Sequence, residues 1–205
     1  GVYLVDTEGH TIRHLQEREM HANGSVLSIA GSGEQVWLAT LGGVSVLNEK
    51  TLQPEKGISL DQVGNNYVYK VLTDSKGRVW FATDGKGLMV YEHGAFRAFD
   101  KAGDIALRTI YSLVEDHRGN IWFSTAKDGV FCFDGQTFKR YTTASHLHSM
   151  DITGLAVDGN DQIVIAYEDG FDMINPGRFD HVNFCGSDID APAISVNLNA
   201  LWTDA

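Results

Sequence analysis

Short apolar runs separated by polar turns recur along the whole chain. In the stretch "IYSLVEDHRGNIWFSTAKDGVFCFDGQTFKRYT" (110–142) they resolve into four segments, "IYSLVED", "NIWFST", "GVFCFDG" and "TFKRYT". Each is six or seven residues long, with apolar positions alternating or clustered, as expected of antiparallel strands packed on both faces. We label such strands A to D, innermost to outermost.

The same order of residue types returns in "TDSKGRVWFATDGKGLMVYEHG" (73–94) and, with a less acidic turn, in "AGSGEQVWLATLGGVSVLNEKT" (30–51). A weaker copy, "VDGNDQIVIAYEDGFDMINPG" (157–177), has Val164 at the Trp position and Tyr167 at the Thr position. Trp37, Trp80, Trp122 and Val164 are spaced by 43, 42 and 42 residues, the blade period of a propeller. The expected fold class is therefore all-β, a β-propeller of four-stranded antiparallel blades.

Within each unit the conserved-looking chemistry has a structural use. Asp74 and Asp116 can accept backbone N–H bonds at the start of the A–B turn, and Gly77 and Gly119 can supply a positive φ at its end. The Trp enters the gap between neighbouring blades, where it buries on the order of 200 Å². Thr40, Thr83 and Thr125 read as hydrogen-bonders within the blade rather than nucleophiles. Gly43, Gly87, Gly129 and Gly170 mark the turn into strand C.

The ends carry partial units. "GVYLVDTEGHTIRHL" (1–15) matches strands C and D, and "AISVNLNALWTDA" (193–205) matches A and B. Joined, they restore one blade, which predicts a single five-bladed domain with blades at about 23–65, 66–107, 108–148 and 149–188 and a split blade of 189–205 plus 1–22. Pairing the two termini would close the ring and hide its sheet edges. The alternative is a fragment of a seven-bladed propeller.

Composition agrees with strands and turns: 22 Gly against three Pro, and 43% hydrophobic residues, enough for a real core. The formal charge of −11 argues against nucleic acid or an anionic membrane as the main partner, since either needs a basic face. No run of about 18 apolar residues suggests direct membrane insertion. Cys132 lies in an apolar strand-like run and Cys185 in a distant loop, so a buried free thiol is expected rather than a disulfide, and no metal spacing exists.

The segments "DHRGNIWFSTAKDGVFCFD", "DSKGRVWFATDGKGLMVYE" and "GEQVWLATLGGVSVLN" resemble the two-component-regulator propeller repeat, with its Asp-rich turn, Gly, aliphatic residue, Trp, small residue and Thr. That resemblance implies an extracytoplasmic sensor module, periplasmic or extracellular, coupled in its parent protein to a histidine kinase or other signalling domains, with an oligosaccharide as a possible ligand. "GRVWFAT" and "GNIWFST" are also similar, more weakly, to streptogramin-lyase-like propellers, whose catalytic His and metal-holding acids have no matched positions here.

In propellers the D–A and B–C connections share one face, where rigidly held loops commonly bind ligands. There the sequence offers Tyr67 and Lys70, Asp84, Arg108 beside Asp104, Lys127 and Asp128, His146 and His148, Glu168 and Asp169, and Asp188 and Asp190. Such a mixture suits a hydroxyl-rich small molecule. His146 and His148 could also hold a metal with a carboxylate from a neighbouring blade, but spacing indicates no third ligand and no cofactor. Three readings follow: a ligand-sensing propeller without turnover, a protein-interaction scaffold, and a lyase-like or glycan-cleaving enzyme.

Overall fold

The computed structural model describes residues 2–5, 12–16, 25–55, 58, 63, 66–175 and 181–185. The chain divides into two compact units, Gly1–Asp100 and Lys101–Ala205.

The first unit opens with a hairpin of β1 (Val2–Val5) and β2 (Ile12–Leu15). A three-stranded sheet follows, β3 (Val26–Ser32), β4 (Gln35–Thr40) and β5 (Gly43–Asn48). Residues 53–55 run along the outer edge of β5, with Asn48 N donating to Gln53 O at 2.9 Å and Glu55 N to Val46 O at 2.8 Å. Next comes a four-stranded sheet of β6 (Val68–Thr73), β7 (Val79–Thr83), β8 (Leu88–Glu92) and β9 (Ala95–Phe99), in chain order.

The second unit has a two-residue hairpin of β10 (Lys101–Ala102) and β11 (Ile105–Ala106), then two four-stranded sheets in chain order. These are β12 (Ile110–Glu115), β13 (Ile121–Thr125), β14 (Val130–Phe133) and β15 (Phe138–Tyr141), and β16 (Gly154–Val157), β17 (Ile163–Ala166), β18 (Gly170–Ile174) and β19 (His181–Cys185). Cys185 therefore ends an outer strand, not a loop, because pairing with Gly170 extends the fourth sheet to that residue. The 189–205 half of the expected split blade, with Asp188 before it, lies outside the described residues. Among the described residues no helix is long and apolar enough to cross a membrane.

Three of the four described A–B hairpins are built by an Asp. The buried Asp74 accepts from Lys76 N (3.0 Å), Arg78 N (2.9 Å), Arg78 Nε (2.6 Å) and Trp80 Nε1 (2.8 Å). Asp116 repeats this with Arg118 N, Asn120 N, Asn120 Nδ2 and Trp122 Nε1. Gly77 and Gly119 close these turns at φ +76° and +80°. The fourth hairpin has Asp158 at the start and Asp161 in the left-handed position, φ 64°. Asp161 in turn accepts from His117 N at 2.7 Å, tying two hairpins of the second unit together.

The first hairpin departs from this scheme. Register pairs Ala30 with Trp37, as Leu72 pairs with Trp80 and Val114 with Trp122, so Ser32 stands where the other hairpins have Asp. Trp37 packs against Phe81, Tyr91 and Phe96, with ring centroids 5.5, 4.9 and 6.3 Å away. Its Nε1 is buried with no hydrogen-bond partner among the described residues. Trp37→Phe should cost about 1–2 kcal/mol, from lost ring area alone. Trp80→Phe and Trp122→Phe should cost about 1–3 kcal/mol more, since each also removes a donor from a buried carboxylate. Denaturant midpoints of the three variants check this, and equal losses would refute it.

The Thr that follows each Trp by three residues closes the B–C turn. Thr40, Thr83 and Thr125 donate Oγ1–H to the carbonyls of Gly43, Gly87 and Gly129 at 3.0, 2.7 and 3.1 Å. The turns start beside the residue entering strand A: Leu41 N, Asp84 N and Ala126 N donate to Ser25 O, Tyr67 O and Thr109 O. B–C turns and D–A connections therefore meet at one end of each sheet. Cys132, half-buried on β14, is a free thiol whose pKa is pushed up to about 12 by burial and by the Asp116 and Asp134 charges.

Candidate functional site

At that end of the second unit lies a cleft of about 620 Å³ between the β12–β15 and β16–β19 sheets. Tyr111 from strand A and Thr125 and Ala126 from the B–C turn form one wall. His148, Ser149, Asp151, Ile152 and Thr153 come from the connection into β16, and Tyr167, Glu168 and Asp169 from the fourth B–C turn.

The connection from β15 is shaped by its own residues. Thr142 caps a short 3₁₀ turn, Thr143–Ser145, which ends at His146 in the left-handed conformation, φ 72°. Leu147 then turns into the core, and His148 emerges at the cleft. Its Nε2 lies 3.2 Å from Asp169 Oδ2, and its ring is 5.5 Å from that of Tyr167.

Beneath these groups sits Asp172, fully buried on β18. One carboxylate oxygen, Oδ2, accepts from the Tyr167 hydroxyl at 2.6 Å and from His148 N at 2.8 Å. Burial, the hydrogen bond to Asp172 and the Asp172 charge all raise the pKa of the Tyr167 phenol, so it stays protonated and donates. A single buried acceptor thus pins both the His148 backbone and the Tyr167 ring.

This pair departs from the repeat at two positions at once. Tyr167 stands where the other blades use Thr, and although its N–H still donates to Gly170 O at 2.9 Å, its hydroxyl goes to Asp172. Asp172 stands two residues after the turn Gly, where the other strands have Ser45, Met89 and Phe131. Counting from Gly43, Gly87, Gly129 and Gly170 would have singled it out, because the fourth B–C turn is one residue shorter than the third and a count from the Trp position misses it.

Of the residues expected from sequence, His148, Glu168 and Asp169 line this cleft. Arg108, Lys127 and His146 are exposed in the same unit but outside its lining, and Asp128 is held by Arg140 at 3.2 Å. Tyr67, Lys70 and Asp84 belong to the other unit, where the Tyr69 hydroxyl donates to Asp84 Oδ2 at 3.3 Å. Tyr111, Asp151, Tyr167 and Asp172 are additions. Among the described residues no group of three or more His, Cys, Asp or Glu could hold a metal.

Four-stranded antiparallel sheets in chain order, with this fold shared by solved propellers, define the class: a β-propeller. Residues 62–85 and 104–127, one period apart, match the two component regulator propeller family. It is similar to the extracellular domain of a protein assigned as a hybrid two component system in B. thetaiotaomicron, at 23% identity and TM-score 0.68 over 81% of this chain and 23% of that one. A second such domain, assigned to a one component system of B. thetaiotaomicron, gives 18% identity and TM-score 0.70 over 92% of this chain and 31% of that one. Virginiamycin B lyase from Staphylococcus aureus gives 16% identity and TM-score 0.61 over 82% of this chain and 57% of that one. The chain thus spans less than a third of the two extracellular domains. No curated protein matches it.

Proposed function

We propose that this chain is the ligand-binding part of an extracytoplasmic sensor, periplasmic or extracellular, whose parent protein carries a histidine kinase or other signalling domain. The ligand is a hydroxyl-rich small molecule such as an oligosaccharide, held without turnover in the cleft of the second unit. One observation carries this reading: the blade repeat is broken in a coordinated way at Tyr167 and Asp172, and this buried pair holds the backbone of His148 at the cleft. The second and third blades keep a Thr at the first of these positions and an apolar residue, Met89 or Phe131, at the second. The family repeats and the extracellular domains of similar fold support the sensor context.

Thermal unfolding of the chain against a panel of oligosaccharides tests it. A ligand at roughly 100 times its Kd should add about 2.7 kcal/mol, raising the midpoint by roughly 5–10 °C. Tyr111→Ala should remove the ligand shift and leave the apo midpoint nearly unchanged. A panel that moves nothing would favour a protein-interaction scaffold. A shift that survives Tyr111→Ala would put the ligand elsewhere.

A further inference from the structure

The described walls of the cleft are one-sided in charge, and this extends the reading above to a class of ligand. Three carboxylates, Asp151, Glu168 and Asp169, come to the cleft from two connections, and none of the described lining residues is Lys or Arg. Lys127 follows Ala126 directly yet lies outside the lining, and Arg140 is held at Asp128. His148 Nε2 lies 3.2 Å from Asp169 Oδ2. Behind the wall, the Asp172 carboxylate adds a further negative group in a dry setting.

The same lining carries the Tyr111 ring, 42% exposed, and the imidazole of His148, which packs on the buried Tyr167 ring. Aromatic faces and carboxylates both attract an organic cation, and the rings also stack on the apolar faces of sugar rings. An acidic sugar entering here would meet like charges with no guanidinium or ammonium among the described lining residues to pair with, a strong element of rejection.

We propose that the cleft selects hydroxyl-rich ligands carrying a free ammonium group, amino sugars in their cationic form, over neutral sugars, and rejects uronates. The proposal rests on the cleft being the ligand site. Calorimetric titration with β-1,4-linked tetramers of glucosamine and glucose and the α-1,4-linked tetramer of galacturonate at pH 6 tests both. Glucosamine tetramer should bind at least about tenfold more tightly than glucose tetramer, and galacturonate tetramer should not bind measurably. Glu168→Gln combined with Asp151→Asn should erase the preference for the amine, whereas Glu49→Gln, outside the cleft, should leave it intact and so exclude attraction to the overall acidic surface. Equal binding of glucosamine and glucose tetramers, or binding of galacturonate, would overturn the charge selection and leave the site reading standing. A preference that survives the double substitution would overturn it too. No binding by any tetramer would overturn both.

Discussion

Asp74→Ala should unfold the protein at a midpoint roughly 6–16 °C below that of the parent. Four donors converge on this one carboxylate: two backbone amides of the turn, the Arg78 guanidinium and the Trp80 indole. Truncation leaves the indole N–H buried without an acceptor and the Arg78 charge only 16% exposed without its partner. Buried orphans of these kinds cost about 3–4 kcal/mol together. At about 2–4 °C per kcal/mol for a chain of this size, that gives the stated range. Asp116→Ala should behave alike, since Asp116 takes the same two turn amides and the Trp122 indole.

The same carboxylate makes stability pH-dependent. Burial alone would raise the pKa of Asp74, but the bonds from Trp80 and Arg78 outweigh it and hold it below the ordinary 3.8. A group depressed in the folded state contributes fully above its unfolded value and loses its contribution as pH falls through its folded value. The midpoint should therefore drop with acid below about pH 4. Asp74→Asn should flatten that part of the profile while lowering stability at neutral pH, because its amide turns donors toward Trp80 and Arg78. A truncation that shifts the midpoint by less than about 2 °C would show that the hairpin folds without this acceptor.

Gly129→Ala should be nearly as damaging, for a different reason. A Cβ there would lie 2.1 Å from the Tyr141 carbonyl oxygen and 3.3 Å from Met150 Cε, at φ +87°. Backbone cannot yield as a flexible side chain can, so the strand-C turn and the chain leaving β15 must part. We expect a loss above about 3 kcal/mol, combining left-handed strain with overpacking. Gly135→Ala isolates the first part. Its φ is +98°, but its Cβ would meet nothing within 4 Å, so about 1 kcal/mol should be lost. Because Tyr141 leads into the connection that carries His148, Gly129→Ala should also weaken ligand binding more than its stability loss explains. Equal losses at the two glycines, read from denaturant midpoints, would refute the clash.

Much of the blade was legible because its determinants are local. Asp74, Gly77 and Trp80 act across six residues, and the Thr83 hydroxyl reaches a carbonyl four residues away, so the repeat displays the contacts it encodes. Where a local determinant changed, the spacing hid it. Ser32 sits in a hairpin one residue shorter than its neighbours, and Asp172 follows a B–C turn one residue shorter than that of Thr125. Strand register aligns the blades and shows both substitutions, and a count from the turn glycines also reaches Asp172.

By itself the sequence determined the all-β class, the period near 42 residues, the hairpin chemistry and the end of each sheet where irregular loops gather. Period and alternation assign a residue to a strand and a face, and these follow from backbone geometry that every blade shares. Tertiary structure decided which loop side chains meet. His146 and His148 looked equivalent, yet the first, a left-handed cap, lies outside the cleft lining, and a hydrogen bond from the backbone N–H of the second to the Asp172 carboxylate, 24 residues on, holds it at the cleft. Tyr111, Tyr167 and Glu168 meet through the packing of two sheets, whose separate stretches of chain no local rule relates.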